Sequence, residues 1–231
     1  MKLQAGKLLP LALTAALLAG CASDDIQEIE AGYDEDAGAG PMAMAHVSHV
    51  ATEWAETPDQ QGLLTTARAE AAVVRTHADL AAQRATDSDW VKMHAIHVRH
   101  ALAPQGVGPG KGYGLLKAVE GVKTHMTLAM EQDDVSDAIE FHGEQVVMSA
   151  DSVLMRAQQL SALVDKIINA PRYTDLSAEA AQMVALSEQI LMGEDLNEDG
   201  DIGWEENEPG LNQALKYVNY LRQKEAAYKE D

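Results

Sequence analysis

The sequence is short of cysteine, of aromatic rings and of positive charge, and each shortage closes off a class of protein. Cys21 is the only cysteine, so no disulfide can form within one chain and no Cys-x-x-Cys-His motif can attach haem c. Aromatic residues make up 4% of the chain, with Phe141 the sole phenylalanine, while apolar residues make up 46%. A core of Ala, Leu, Val and Met suits close helix packing better than a β-sandwich, because strands draw on aromatic and β-branched side chains. Lys and Arg number 17 against 37 Asp and Glu, a formal net charge of −20. That balance argues against nucleic acid as a partner, since phosphates need cationic side chains to displace their counterions. It equally disfavours electrostatic docking on anionic lipid. The chain shows no Gly-rich phosphate loop and no Ser/His/Asp arrangement of family-specific spacing, which favours a binding role over catalysis.

Residues 1–20 read as a signal peptide: Lys2 and Lys7, an apolar run over Leu8–Ala19, then small residues. The run is too short to span a bilayer, which takes ~20 apolar residues. It ends in Leu18-Ala19-Gly20-Cys21, which resembles the lipobox of bacterial lipoproteins. The resemblance implies that Cys21 is lipidated and that the peptide before it is removed, leaving a membrane anchor. Ala22 stands where an inner-membrane retention signal would show Asp, so the resemblance implies an outer-membrane lipoprotein facing the periplasm. Residues 21–41 then form an acidic, Gly-containing tether with little to bury.

From residue 42 to 170 the periodicity is helical. Breakers at Pro58–Gly62, Thr86–Ser88, Pro104–Gly114, Gln132–Asp134 and Pro171 predict helices over about 42–57, 62–84, 89–103, 114–131 and 135–169. Ser88 or Asp89 is the expected cap of the third helix, and Asp133 or Asp134 that of the fifth. Two stretches match at an offset of 48 residues: Arg75-Thr76-His77 parallels Lys123-Thr124-His125, and Ser88-Asp89 with His94 parallels Ser136-Asp137 with His142. Read as a duplicated helical hairpin with both tips at one end of an up-down bundle, the repeat predicts one inward-facing layer of His77, His94, His125 and His142. His46, His49, His97 and His100 would form a second layer nearer the other end.

Four converging imidazoles suit copper or zinc, and Met93, Met126 and Met148 would favour Cu(I) if they lay close by. Glu53, Glu70, Glu120, Glu140 and Glu144 are available to orient the ligands. The alternatives are a haem b held between two histidines, with Gly121 and Gly143 making room for the ring, or histidines that only pack.

The segment 177–228 begins with a helix over Ser177–Met192, capped by Ser177, that leads into Asp195-Leu196-Asn197-Glu198-Asp199-Gly200-Asp201-Ile202-Gly203-Trp204-Glu205-Glu206. These twelve residues resemble an EF-hand loop. The resemblance implies Ca²⁺ ligands at Asp195, Asn197, Asp199, Asp201 and Glu206, with Gly200 at the sharp turn. A second helix is expected over Leu211–Tyr228. The expected fold is therefore all-α: a bundle of a duplicated hairpin plus an extra N-terminal helix, followed by a small EF-hand-like helix-loop-helix. The expected function is that of a lipid-anchored extracytoplasmic protein binding Ca²⁺ and, through its histidines, copper or zinc. Alternatives are a haem b electron-transfer lipoprotein or a structural lipoprotein stabilised by calcium.

Overall fold

The computed structural model describes residues 38–228 apart from Trp204 and Glu206; the signal peptide, Cys21 and the tether as far as residue 37 lie outside the described residues. The described chain is an all-α bundle. Its helices are α1 (Pro41–Ala51), α2 (Leu63–Gln83), α3 (Ser88–Leu102), α4 (Leu115–Met130), α5 (Asp137–Asn169), α6 (Ser177–Met192) and α7 (Leu211–Ala227). None is long and apolar enough to cross a membrane.

The helices assemble into four rods rather than a hairpin bundle with an appendage. Rod A is α1 followed by α2, rod B is α3 followed by α4, rod C is the unbroken α5, and rod D is α6 followed by α7. Cross-rod contacts fix the directions. Met42 and Ala43 of α1 donate backbone N–H bonds to Asp134 just beyond the end of α4, whereas the start of α2 meets Gly121 through Leu63. Rod A therefore runs antiparallel to α4 and away from the 131–136 turn. On rod C, Lys123 of α4 pairs with Asp151, while Arg99 and Lys92 of α3 reach Asp165 and the Ala170 carbonyl. Thus α3 and α4 lie end to end along α5, both antiparallel to it. Rod D starts with Glu179 on Lys166 and ends with Glu225 on Ser136, again antiparallel to α5. Rods neighbour one another in the order A, B, C, D, with α2 and α6 closing the ring. Short turns between antiparallel rods are the expected connections of such a bundle.

Two expectations change here. The turns at 84–87 and 131–136 lie at opposite ends, because the segment 103–114 does not reverse the chain: it leaves the rod and re-enters where it left. The C-terminal helices are likewise the fourth rod of the same core, with Met183, Ile190, Leu211 and Leu221 buried alongside Leu160 and Ile167.

Each broken rod carries such an excursion between its two helices, and a glycine stands at every point of re-entry. A Cβ on Gly62 would sit 2.6 Å from the Ala51 carbonyl carbon, and one on Gly210 would sit 2.4 Å from the Gly193 nitrogen. Only glycine lets the returning backbone approach that closely. Buried carboxylates then fix the excursions. Glu70, on α2, accepts N–H bonds from Lys111, Tyr113 and Gly114 at 3.0–3.1 Å. Glu208 accepts from Leu196, Asn197 and Gly203, while the buried Arg156 guanidinium donates to the carbonyls of Asn207, Glu208 and Pro209.

The caps differ from expectation in detail. Asp87, not Ser88 or Asp89, caps α3 by accepting from the Trp90 N–H, and Ser136 caps α5 through Ile139. Asp134 instead serves the first turn of α1 across the bundle. Ser177 lies inside α6, its N–H bound by Asp175. Helix α1 stops at Ala51, short of residue 57, because the excursion 52–62 begins there.

Candidate metal centres

The four-rod arrangement places histidines in the seam between rods A and B, at two levels. At the lower level His46 and His49, one turn apart on α1, face His125 on α4. At the upper level His94 and His97, one turn apart on α3, face His77 on α2. In each group one nitrogen per histidine lies within 4.8 Å of the other two. The groups are separated by about twenty helical residues of rod, roughly 30 Å at 1.5 Å per residue.

The single layer predicted from His77, His94, His125 and His142 is not formed. His77 and His94 stay together, His125 lies at the opposite end, and His142 joins neither group. The Nδ1 atom of His142 lies 3.1 Å from Gln145 Oε1, with the ring among Phe141, Tyr217 and Tyr220. Of the predicted second layer, His46 and His49 join the lower group, His97 joins the upper one, and His100 packs against the 103–114 excursion with Nε2 3.2 Å from the Gly106 carbonyl. The cause is the direction of rod B. Equal counts from two turns bring side chains to one height only if both turns lie at the same end.

A signal for the observed grouping is present in the sequence at the same 48-residue offset. His46 and His49 map onto His94 and His97, and His77 maps onto His125. The repeat is therefore a rod, with His-x-x-His near its start and one histidine near its end. Packing two such rods antiparallel brings the pair of each against the single histidine of the other, twice. A third copy begins on rod C as His142-x-x-Gln145 and goes no further.

The geometry within each group is compatible with a bound ion. His125 Nδ1 lies 3.1 Å from His46 Nδ1 and 3.3 Å from His49 Nδ1. A neutral ring nitrogen carries either one proton or one lone pair, so it can serve only one of these neighbours well. Three nitrogens around a tetrahedral ion at 2.0–2.1 Å would be about 3.3 Å apart, close to the observed spacing. In the upper group His77 and His94 present Nδ1 atoms 3.0 Å apart. There the Nδ1 of His97 and the Nε2 of His94 are buried without a partner, and buried imidazole nitrogens ordinarily have one.

Each group has an indole against it. The Trp54 ring centroid is 4.6 Å from that of His49 and 4.7 Å from that of His125. Trp90 lies 4.5 Å from His94, and its N–H is bound by the Leu80 carbonyl. Neither tryptophan carries a motif that marks it from sequence as a site residue. Among the other candidates, Glu70 is committed to backbone amides. Met126 is buried and Met93 exposed. Met148 and Glu144 line a surface groove between α4 and α5.

The protonation states are compatible with metal binding. Burial, reinforced by His97 and His94, lowers the His77 pKa to about 4. Burial lowers those of His94, His125 and His49 as well, with the neighbouring histidines adding to it. These imidazoles are uncharged near neutrality and keep their lone pairs free. No family model, curated protein or solved structure matches the chain. The reading of these centres therefore rests on their own chemistry.

A pH dependence follows for the metal-free protein. Because folding lowers these pKa values, the unfolded chain binds more protons below about pH 6.5, and for His77 this holds over the window from 6.5 down to about 4. Stability conferred by the uncharged rings is present above pH 6.5 and is lost as the pH falls through that window. For His77 alone the loss should be roughly 1–2 kcal/mol after allowing for solvent screening. Thermal melts in chelator at pH 7.5 and 5 should show it, and a His77→Gln variant should show a smaller drop. An equal drop in parent and variant would contradict the assignment.

Proposed function

We propose that the protein is a lipid-anchored extracytoplasmic metal-binding protein that holds two transition-metal ions, copper or zinc, in three-histidine sites between its repeated rods. The observation that carries this reading is the convergence of three imidazole nitrogens at each end of one seam, twice over from one repeat. Three-histidine sets that leave a coordination position open are established ligands of zinc, and imidazole suits copper equally. The alternative of haem b fits these groups less well. Axial histidines approach the iron from opposite faces of a flat ring, whereas nitrogens 3.0–3.3 Å apart converge on one point.

The full-length protein lacking residues 1–20 should bind two equivalents of Cu²⁺ or Zn²⁺, measured by elemental analysis after gel filtration and accompanied by a change in tryptophan fluorescence. Binding of one equivalent only under metal-replete conditions would overturn the two-site proposal, and binding of none would leave a structural lipoprotein. The anchor at Cys21 is tested by radiolabelled palmitate, which a Cys21→Ala variant should fail to incorporate.

Calcium in the rod D excursion belongs to the same proposal. Asp195 accepts N–H bonds from Asp199 and Gly200, Asn197 accepts from Asp199, and Asp199 accepts from Asp201. This wrapping supports an EF-hand-like loop but leaves α6 and α7 in one rod, so calcium here would brace the bundle rather than open a groove. Calcium should raise the melting temperature of the parent by several degrees, and Asp195→Ala or Glu206→Gln should abolish that shift. A parent protein indifferent to calcium would remove this part of the proposal.

A further inference from the structure

The chain has three tryptophans, and two of them stand against the histidine groups. The repeat does not account for this. Trp90 lies four residues before His94 and Trp54 five after His49, and at the matching positions of the other rod stand Met42 and Leu102. Each centre thus has an indole of its own, supplied from a different place on its rod. The ring planes meet at similarly steep angles: 68° for Trp90 with His94, and 61° and 59° for Trp54 with His49 and His125. At such angles the edge of one ring is turned toward the face of the other, the arrangement in which an N–H meets a π surface. The upper centre adds a second observation. His94 is 5% exposed and its Nδ1 lies 3.0 Å from that of His77, but its Nε2 is buried with no hydrogen-bond partner. Of the rings around His94, that of Trp90 is nearest, with centroids 4.5 Å apart against 5.3 Å for His77 and 5.6 Å for His97.

Building on the metal-binding reading, we infer that Trp90 is a positioning residue for the upper centre: its π face accepts the Nε2–H of His94 and so holds that imidazole in the tautomer that offers Nδ1 to the ion. A neutral imidazole has one proton for two nitrogens. When Nδ1 gives its lone pair to a metal, the proton must sit on Nε2, and a buried N–H without an acceptor is costly. Ligating histidines ordinarily donate this proton to a carboxylate, a carbonyl or water, which fixes the tautomer and the orientation of the ring. Among the described residues no such partner is within reach of His94 Nε2, and the indole is the group left to take the proton. The indole is itself fixed. It lies one turn before His94 on α3, its own N–H is bound by the Leu80 carbonyl at 2.6 Å, and the Arg84 guanidinium lies 4.4 Å from its ring centroid. An acceptor held by two such contacts is already in place when the ion arrives.

The test uses the full chain carrying His125→Ala, which keeps only the upper group, with its fold checked by circular dichroism and with Zn²⁺ bound. Long-range proton–nitrogen NMR should show His94 Nδ1 without a proton and Nε2 with one, and the Nε2–H resonance should be moved upfield by the indole ring current. Trp90→Leu should return that resonance downfield and weaken Zn²⁺ by at least about fivefold, whereas Trp90→Phe, which keeps a π face, should bind within about twofold of its parent. In the His77→Ala chain, which keeps only the lower group, Trp90→Leu should leave Zn²⁺ affinity within about twofold, because the two groups are far apart. Ligation of His94 through Nε2, an Nε2–H resonance indifferent to Trp90→Leu, or a Zn²⁺ affinity that is unchanged at the upper group or falls equally at both would overturn the role of Trp90 and leave the metal sites standing. A folded His125→Ala chain that binds no Zn²⁺ would instead overturn the metal reading of the upper group.

Discussion

Replacing His125 by alanine should lower the bound metal from two ions per chain to one, and replacing His77 should do the same at the other end. Each of these histidines is the sole contribution of its rod to its group: His125 faces the α1 pair, and His77 faces the α3 pair. Without it a three-ligand site becomes two imidazoles on one helix, and affinity should fall by at least about a hundredfold, since loss of even an outer partner costs 10–100-fold. The groups share no ligand and lie roughly 30 Å apart, so the two losses should be independent. The metal-dependent rise in melting temperature should also divide between the sites, because each ion would tie rod A to rod B. His142→Ala should leave the metal content unchanged, since His142 sits with Gln145 and the α7 tyrosines. Loss of both ions from a well-folded His125→Ala chain would mean that the histidines form one centre, contrary to the present account.

The second large effect should come from a residue that binds no metal. Glu70 is fully buried, and its two oxygens accept three backbone N–H groups of the 103–114 excursion. Glu70→Ala would leave those amides without a partner beside a small cavity. At 1–3 kcal/mol for each buried donor the loss should reach about 3 kcal/mol or more. That corresponds to a fall in melting temperature of roughly 6–12 °C for an ordered region of this size. The excursion sets where α4 re-enters rod B, so the height of His125 opposite α1 should also become less well fixed. Weaker metal binding at the lower site should accompany the lower stability, whereas the upper site, on α2 and α3, should be spared. Unchanged stability would show that water replaces the carboxylate without loss.

Much of this architecture is legible in the sequence. The helices follow from their apolar periodicity and their breakers, and the limits expected for α6 coincide with those observed, Ser177–Met192. The offset of 48 residues is equally visible. What the sequence conceals is whether a Gly- and Pro-rich segment turns the chain round or merely interrupts a rod. Residues 103–114 have the composition of a reversing loop, but the buried Glu70 carboxylate and the close approach of Gly114 to the Leu102 carbonyl return the chain to its starting point. Those are contacts distant in sequence, and local propensity carries no trace of them. An up-down reading of rod B puts His142 in a layer it does not reach and leaves His46, His49 and His97 outside the groups they join. The match of His46 and His49 to His94 and His97 could have corrected this from sequence alone, because a repeat of whole rods predicts two mixed groups rather than one layer. The roles of Trp54 and Trp90 had no such signal, since an isolated tryptophan in a helical segment ordinarily reads as core.

The most direct test is the distance between two bound ions. With two equivalents of Cu²⁺ loaded on one chain, pulsed dipolar EPR should give a single distance near 30 Å, the separation set by about twenty residues of helical rod. That signal should vanish in either His77→Ala or His125→Ala. A copper–copper distance well below 20 Å, or a chain that accepts one ion only, would contradict two centres at opposite ends of the A–B seam.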